Sequence, residues 1–242
     1  MSGSGASGVS NSILDAIGDT PMLEIEGVYC KCEFLNPSGS IKARIAKYMI
    51  EKAEEEGLLA GDDTIVEATS GNTGNALSMV AAVKGYRMLV VMPVGMSNER
   101  LAISRAYGAE VLQVGHFHVD AALEKARELG RSPGYFCPSQ FESEWNVEEN
   151  REILGPEILA QLPDGTVPDA LVMGVGTGGT LVGVGQAFRE GFIDMEVPNL
   201  QDIGPEGAAY GNPLARHPLG HDDEHPITLH GGDHREGVAG VA

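Results

Sequence analysis

The chain has 242 residues, 42% of them apolar, enough for a globular core in one large unit or two small ones. Its 35 acidic residues outnumber 16 basic ones, and the formal net charge of -19 excludes nucleic acid or anionic membrane as a partner held by the overall field. No run of uninterrupted apolar residues is long enough to predict a membrane span.

The opening "MSGSGASGVS" lacks the basic and apolar regions of a signal peptide and reads as a flexible lead-in, so the cytoplasm is the expected location. "VYCKCEFL" then predicts a strand, "NPSGSIKAR" (Asn36–Arg44) a tight glycine-containing turn, and "IAKYMIEKAEEEGLL" a helix. "TIVEA" (Thr64–Ala68) predicts a short strand, followed by a glycine-rich turn and the helix "ALSMVAAVKG". The strand "RMLVVMP" (Arg87–Pro93) leads to a helix that Ser97 can cap and Gly108 can end. The strand "EVLQV" (Glu110–Val114) leads to the helix "VDAALEKARELG", and "GYFCP" reads as one more short strand. "DALVMG" (Asp169–Gly174) precedes a second glycine-rich turn and the helix "TLVGVGQAFRE". Continuously apolar strands separated by helices predict an α/β fold with a parallel sheet covered on both faces.

After about Phe192 the chain is dense in glycine and proline and no period persists, so residues 193–242 read as a loop-rich, disordered tail. His217, His221, His225, His230 and His234 fall at steps of four or five, but the prolines and glycines among them oppose a metal-binding helix, and no metal site is expected. Three cysteines, Cys30, Cys32 and Cys137, argue against a disulfide framework. Cys30 and Cys32 alternate on the predicted strand and read as core residues on one face. The acidic excess is spread along the chain, which suits a halophile-like protein working in high salt as well as an ordinary acidic one.

Three turns at strand-to-helix junctions carry the candidate chemistry, because open α/β sheets bind ligands at the carboxyl ends of their strands. The first glycine turn, "TSGNTGN" (Thr69–Asn75), crowds hydroxyl and amide side chains where glycine lets a ligand approach and a helix start offers free N–H groups. One capping residue would suffice for the helix alone. The second, "GVGTGGT" (Gly174–Thr180), reads as an anion cup, with N–H groups converging and Thr177 and Thr180 adding hydroxyls. Gly174, Gly176 and Gly179 also match a dinucleotide fingerprint, with Asp194 at about the required distance. That reading leaves Lys42 unexplained. A lysine at a strand end, partly desolvated, can lose its proton and attack a carbonyl. Combined with a phosphate cup, it points to pyridoxal phosphate (PLP): the aldehyde bonded to Lys42, the phosphate on Gly176–Thr180, the substrate carboxylate on the first turn.

These stretches resemble the cysteine synthases (O-acetylserine sulfhydrylases) and their cystathionine β-synthase relatives, in the tryptophan-synthase-β-like group of PLP enzymes. "IGDTPML" (Ile17–Leu23), "NPSGSIKAR", "TSGNTGNAL", "SQFES" and "GVGTGGTLVGVG" carry the resemblance, which covers about Ile13 to Arg189. It implies a two-domain parallel-sheet PLP fold, C-terminally truncated or altered. Residues 11–44 and 145–192 would form the larger domain and 45–144 the smaller. Lys42 becomes the cofactor-bonding and catalytic lysine. Asn72, Gly176, Thr177, Gly178, Gly179 and Thr180 become further cofactor contacts, and Thr69, Ser70, Gly71, Thr73 and Gln140 bind substrate. The implied activity is β-replacement on an O-activated serine by sulfide or a thiol, in a homodimer in intact family members. A cystathionine- or deaminase-type lyase and an inactive PLP-fold remnant are the alternatives. Ala43 stands where the family has aspartate, and "FESEWNVEENREILGPEI" replaces an asparagine–proline run. The tail does not resemble the family's later strands, whose hydroxyl meets the pyridine nitrogen, so an incomplete cleft is expected.

Overall fold

The computed structural model describes residues 9–69, 71–115, 119–191, 226–230 and 238–241, the last two stretches and Val119 as backbone only. Two sheets organise it. The first is built from one continuous part of the chain. It contains β3 (Thr64–Ala68), β4 (Arg87–Pro93), β5 (Glu110–Val114) and β6 (Tyr135–Phe136) in the order β5-β4-β3-β6, all parallel. Ile65, Val66, Ala68, Val90 and Val91 are fully buried, as strands covered on both faces require. One cover is α2 (Asn72–Lys84), ended by Gly85 in the left-handed conformation, and the other is α4 (Val119–Gly130), whose Ala122 and Ala126 meet Val66 and Val91. Between β4 and β5 runs α3 (Asn98–Ala106). Ser97 stands at its N-cap without a side-chain bond to the helix backbone, and Gly108 follows its end with φ +86°.

The second sheet is mixed, in the order β1-β2-β9-β7-β8. β1 (Met22–Ile25) and β2 (Val28–Lys31) form an antiparallel hairpin. β9 (Val238–Val241) lies parallel between β2 and β7 (Ala170–Gly174), and β8 (Pro226–His230) runs antiparallel on the far side of β7. Phe188, Leu171, Leu154, Ile158 and Leu181 pack a core between this sheet and its helices. Those are α5 (Glu144–Glu149), which continues through a π-helical turn (Asn150–Leu154) into α6 (Gly155–Gln161), and α7 (Gly179–Gly191). Linking the two sheets is α1 (Lys42–Glu55), which packs on α2 and α5.

Three expectations need correction. The strand expected through Leu35 stops at Lys31, and a 3-10 turn (Glu33–Leu35) follows, because the Glu33 side chain is drawn to Arg44 and Asn36. Cys32 therefore lies beyond the strand, and Cys30 and Cys32 do not alternate on it; both are free thiols. The helical run from Glu144 to Gln161 was not legible as a helix. Within the segment expected to be unstructured, Pro226–His230 and Val238–Val241 are strands. The rest of that segment, with Asp194, His217, His221, His225 and His234, lies outside the described residues, as does most of the opening lead-in. Among the described residues no group of His, Cys, Asp or Glu could hold a metal, and no helix is long and apolar enough to cross a membrane.

Candidate active site

Lys42 opens α1, its backbone N–H bonded to Ser40 Oγ at 3.3 Å. The turn before it is held in place from two sides. Gly39 takes φ +77° and its N–H reaches the Asn36 carbonyl at 2.7 Å. Asn36 accepts from the Gly18 N–H through Oδ1 (3.0 Å) and donates to the Glu33 carboxylate through Nδ2 (2.8 Å). Two residues on, Arg44 fixes the helix in a buried ionic cluster. Its guanidinium bonds Glu33 at 2.7 and 2.8 Å and Glu157 at 2.8 Å, while Glu157 also pairs with the fully buried Lys31. Burial works against the Arg44 charge, but the bonds from Glu157 and Glu33 outweigh it and hold the guanidinium above its ordinary value. Burial also pushes the Glu157 carboxyl up, and Arg44 and Lys31 bring it net below the usual range. Glu149, 3.9 Å from Arg44 and with one buried oxygen unbonded, is pushed up to about 8 by desolvation, against the pull of Arg44 and Lys42.

Lys42 faces the second glycine turn. Together with Ile41 it lines a cleft of about 110 Å³ whose other walls are Met173–Gly178, Thr180 and Leu181. In that turn Gly178 adopts φ +84°, a conformation that suits glycine and lets successive N–H groups converge. A Cβ on Gly176 would point into open space, so the cup is unfilled by the protein itself. Gly179 is different: a Cβ there would lie 2.3 Å from Asn146 Oδ1, so this glycine serves packing. Thr177 and Thr180 are buried, and Thr177 Oγ1 accepts from Asn146 Nδ2 at 2.9 Å.

The first glycine turn is not among the residues lining that cleft. Thr69 Oγ1 accepts from the N–H groups of Gly71 (3.2 Å) and Gly74 (3.3 Å), which caps α2. Gly71 leaves open space, Asn72 is exposed at the start of α2, and Ser70 lies outside the described residues. Thr73 is buried and donates to Gln140 Oε1 at 2.5 Å. Gln140 Nε2 donates to the Ala68 carbonyl at 3.2 Å, so Gln140, 67 residues from Thr73 in sequence, is stitched to the turn. Asn146 joins the two halves, donating to the Gln140 carbonyl (2.8 Å) as well as to Thr177. Sequence reasoning missed Asn146, Arg44 and Glu67 as supports. Asn146 sits in a stretch without clear period, and the other two look like ordinary helix and strand charges.

An anion cup facing a lysine is the arrangement a phosphate-bearing aldehyde cofactor requires, and the residues present fit one. Residues 13–234 match the family of pyridoxal-phosphate-dependent enzymes. The chain belongs to that family. Within the pyridoxal-phosphate-dependent enzymes, it is 45% identical over 200 residues to a cysteine synthase of Staphylococcus aureus (strain Mu50 / ATCC 700699), covering 79% of this chain and 64% of that one. The crystal structure of O-ureido-L-serine synthase is 42% identical, with TM-score 0.72, over 77% of this chain and 61% of that one. That of a hydrogen sulfide-producing enzyme from Fusobacterium nucleatum is 34% identical, with TM-score 0.74, over 98% and 74%. The chain thus spans just under two thirds of the cysteine synthase it matches. These likenesses agree with the expected α/β PLP fold.

Proposed function

We propose that this enzyme carries out β-replacement on an O-activated serine, in the manner of the cysteine synthases. The observation that carries the proposal is the single cleft in which Lys42 faces the Gly176–Thr180 cup. When bound, PLP supplies an aldehyde for a lysine amine and a ring that takes up the electron pair left at Cα. Lys42 would hold that aldehyde and serve as base for the Cα proton. Gly176, Thr177, Gly178, Gly179 and Thr180 would hold the phosphate, and Asn72 a further oxygen of the ring. Thr69, Ser70, Gly71, Thr73 and Gln140 would receive the amino-acid carboxylate, and sulfide or a thiol would be the incoming nucleophile. The likeness to a cysteine synthase and to an O-ureido-L-serine synthase supports an O-activated serine as the substrate class. A second reading, elimination with release of sulfide, draws support from the likeness to a hydrogen sulfide-producing enzyme.

The two sheets support a two-domain organisation, with 45–144 as the smaller domain and 11–44 with 145–192 as the larger, joined by β8 and β9. Pairing of two copies is consistent with the exposed Leu23, Ile25, Phe34 and Leu35 around the β1–β2 hairpin. Borohydride reduction after loading with PLP, followed by peptide mapping, is expected to place the label on Lys42; a label on another lysine overturns the assignment. Chromatography of products from O-acetylserine and sulfide is expected to show cysteine. Sulfide release from cysteine without any replacement would favour the second reading.

A further inference from the structure

Glu67 is the last charged residue of β3, one position before the strand ends at Ala68, and it is buried. An acidic side chain inside a parallel sheet has to be used or neutralised. Glu67 is used. One carboxylate oxygen accepts the N–H of Ala68 at 3.0 Å and the other the N–H of Gln140 at 3.1 Å. Ser139 adopts φ +54°, a costly conformation for a side-chain-bearing residue, and the next N–H, that of Gln140, is the one that meets the carboxylate. Gln140 is then bonded on every side: its backbone N–H to Glu67, its side chain to Ala68 and Thr73, its carbonyl to Asn146.

We propose that Glu67 is a positioning residue, whose carboxylate clamps the Ser139–Gln140 bend against the Thr69–Thr73 turn and so sets the site for the amino-acid carboxylate. This rests on the function proposed above, but the clamp itself does not. Glu67 would act through Gln140 and would not touch substrate. The ionised form is the one that accepts N–H groups on both oxygens; the acid form gives up one of them. Desolvation raises Glu67 to about 7, and the backbone N–H groups of Gln140, Ala68 and Ser139 pull the other way. Around it stand Glu142, which adds repulsion, Arg127 of α4, which is paired with Glu142, and the Cys137 thiol, itself pushed up to about 11 by burial and then by Glu67. Clamp strength therefore increases as pH rises through neutrality.

Two measurements test this. In the wild-type chain without cofactor, the amide resonances of Ala68, Ser139, Gln140 and Thr73 are followed from pH 5 to 9. They are expected to move together with one midpoint near 7, and E67Q is expected to abolish that titration. Amides that do not respond, or that respond equally in E67Q, overturn the clamp. In the PLP-loaded enzyme E67Q is expected to raise KM for O-acetylserine about tenfold or more, the effect of losing a charge-assisted bond, with kcat and PLP affinity within about twofold. An unchanged KM, or a loss of PLP affinity as large as the change in KM, overturns the positioning role. Failure of the wild type to take up PLP would instead overturn the proposed function, while the amide titration still decides the clamp.

Discussion

The two sheets of this protein were assembled by different rules. All four strands of the β3–β6 sheet come from residues 64–136, and every pairing is parallel. The second sheet draws on residues 22–31, 170–174, 226–230 and 238–241, and its middle strand, β9, is the last in the chain. A sheet of local βα units closes as it is read out, whereas a sheet centred on a distant strand must wait for a long loop to close. The elements of the candidate site divide the same way. The Thr69–Thr73 turn and Gln140 belong to the local sheet, and the Gly176–Thr180 cup follows β7 of the distant one.

Removing residues 226–242 should therefore have the largest and most unequal effect. It takes away β9, the shared neighbour of β2 and β7, and β8 on the far side of β7, and so exposes three backbone edges. Amide exchange is expected to lose protection in β2 and β7 and to keep it in β3 and β4. Equal loss in both sheets would dissolve the distinction, and retained protection would show that β9 adds nothing. Arg44→Ala should come next. It strips the buried Glu33 and Glu149 and the half-buried Glu157 of the guanidinium they share. A cost of about 3–5 kcal/mol is expected in urea unfolding, with the loss of order concentrated around the Lys42 turn.

Gly183→Ala is a narrower probe of the distant half. A Cβ there would lie 2.5 Å from the Val147 carbonyl oxygen and 2.9 Å from the Arg151 nitrogen. Overpacking against backbone should cost about 1–3 kcal/mol. The same change at Gly176, where nothing lies within 4 Å, should leave stability nearly unchanged in the same melt. The last effect is one of pH, spread gradually over several pH units. Glu149 carries its proton up to about 8 in the folded state, against a reference of 4.5. The folded chain then binds more protons than the unfolded one between those values, so stability falls as pH rises through the window, by at most about 1.4 kcal/mol per pH unit from this group. Glu149→Gln should flatten that fall in denaturation curves taken from pH 5 to 8.

How much could be read from the residues alone follows the same divide. The strands from Thr64 to Val114 announce themselves by continuous apolar runs, and β7 does likewise. Both glycine turns stand out because glycine and small polar residues cluster where a strand has just ended. "VAGV" has no such signal: four residues, one a glycine, become a strand because β2 and β7 present open edges to them. The helix from Glu144 was hidden by its asparagines and glutamates, several of which are buried and turned toward partners distant in sequence. Lys42 was conspicuous by position, but its supports were not. Nothing local separates Arg44 or Glu67 from a solvated charge, since what buries them lies up to 113 residues away.

The close contact of α7 with the helices before it has a further consequence. Gly155 lies against Ala187, Gly179 against Asn146, and Gly183 against the Val147 backbone, with no room for a methyl group at any of the three. Helices packed this closely at glycine have a single register: sliding by one residue would drive a side chain into the neighbour at each contact. The start of α7, and with it the cup at Gly176–Gly178, is therefore held by packing that involves no ligand. An anion bound there would meet a shape already set, and little of its binding free energy would go into ordering the protein.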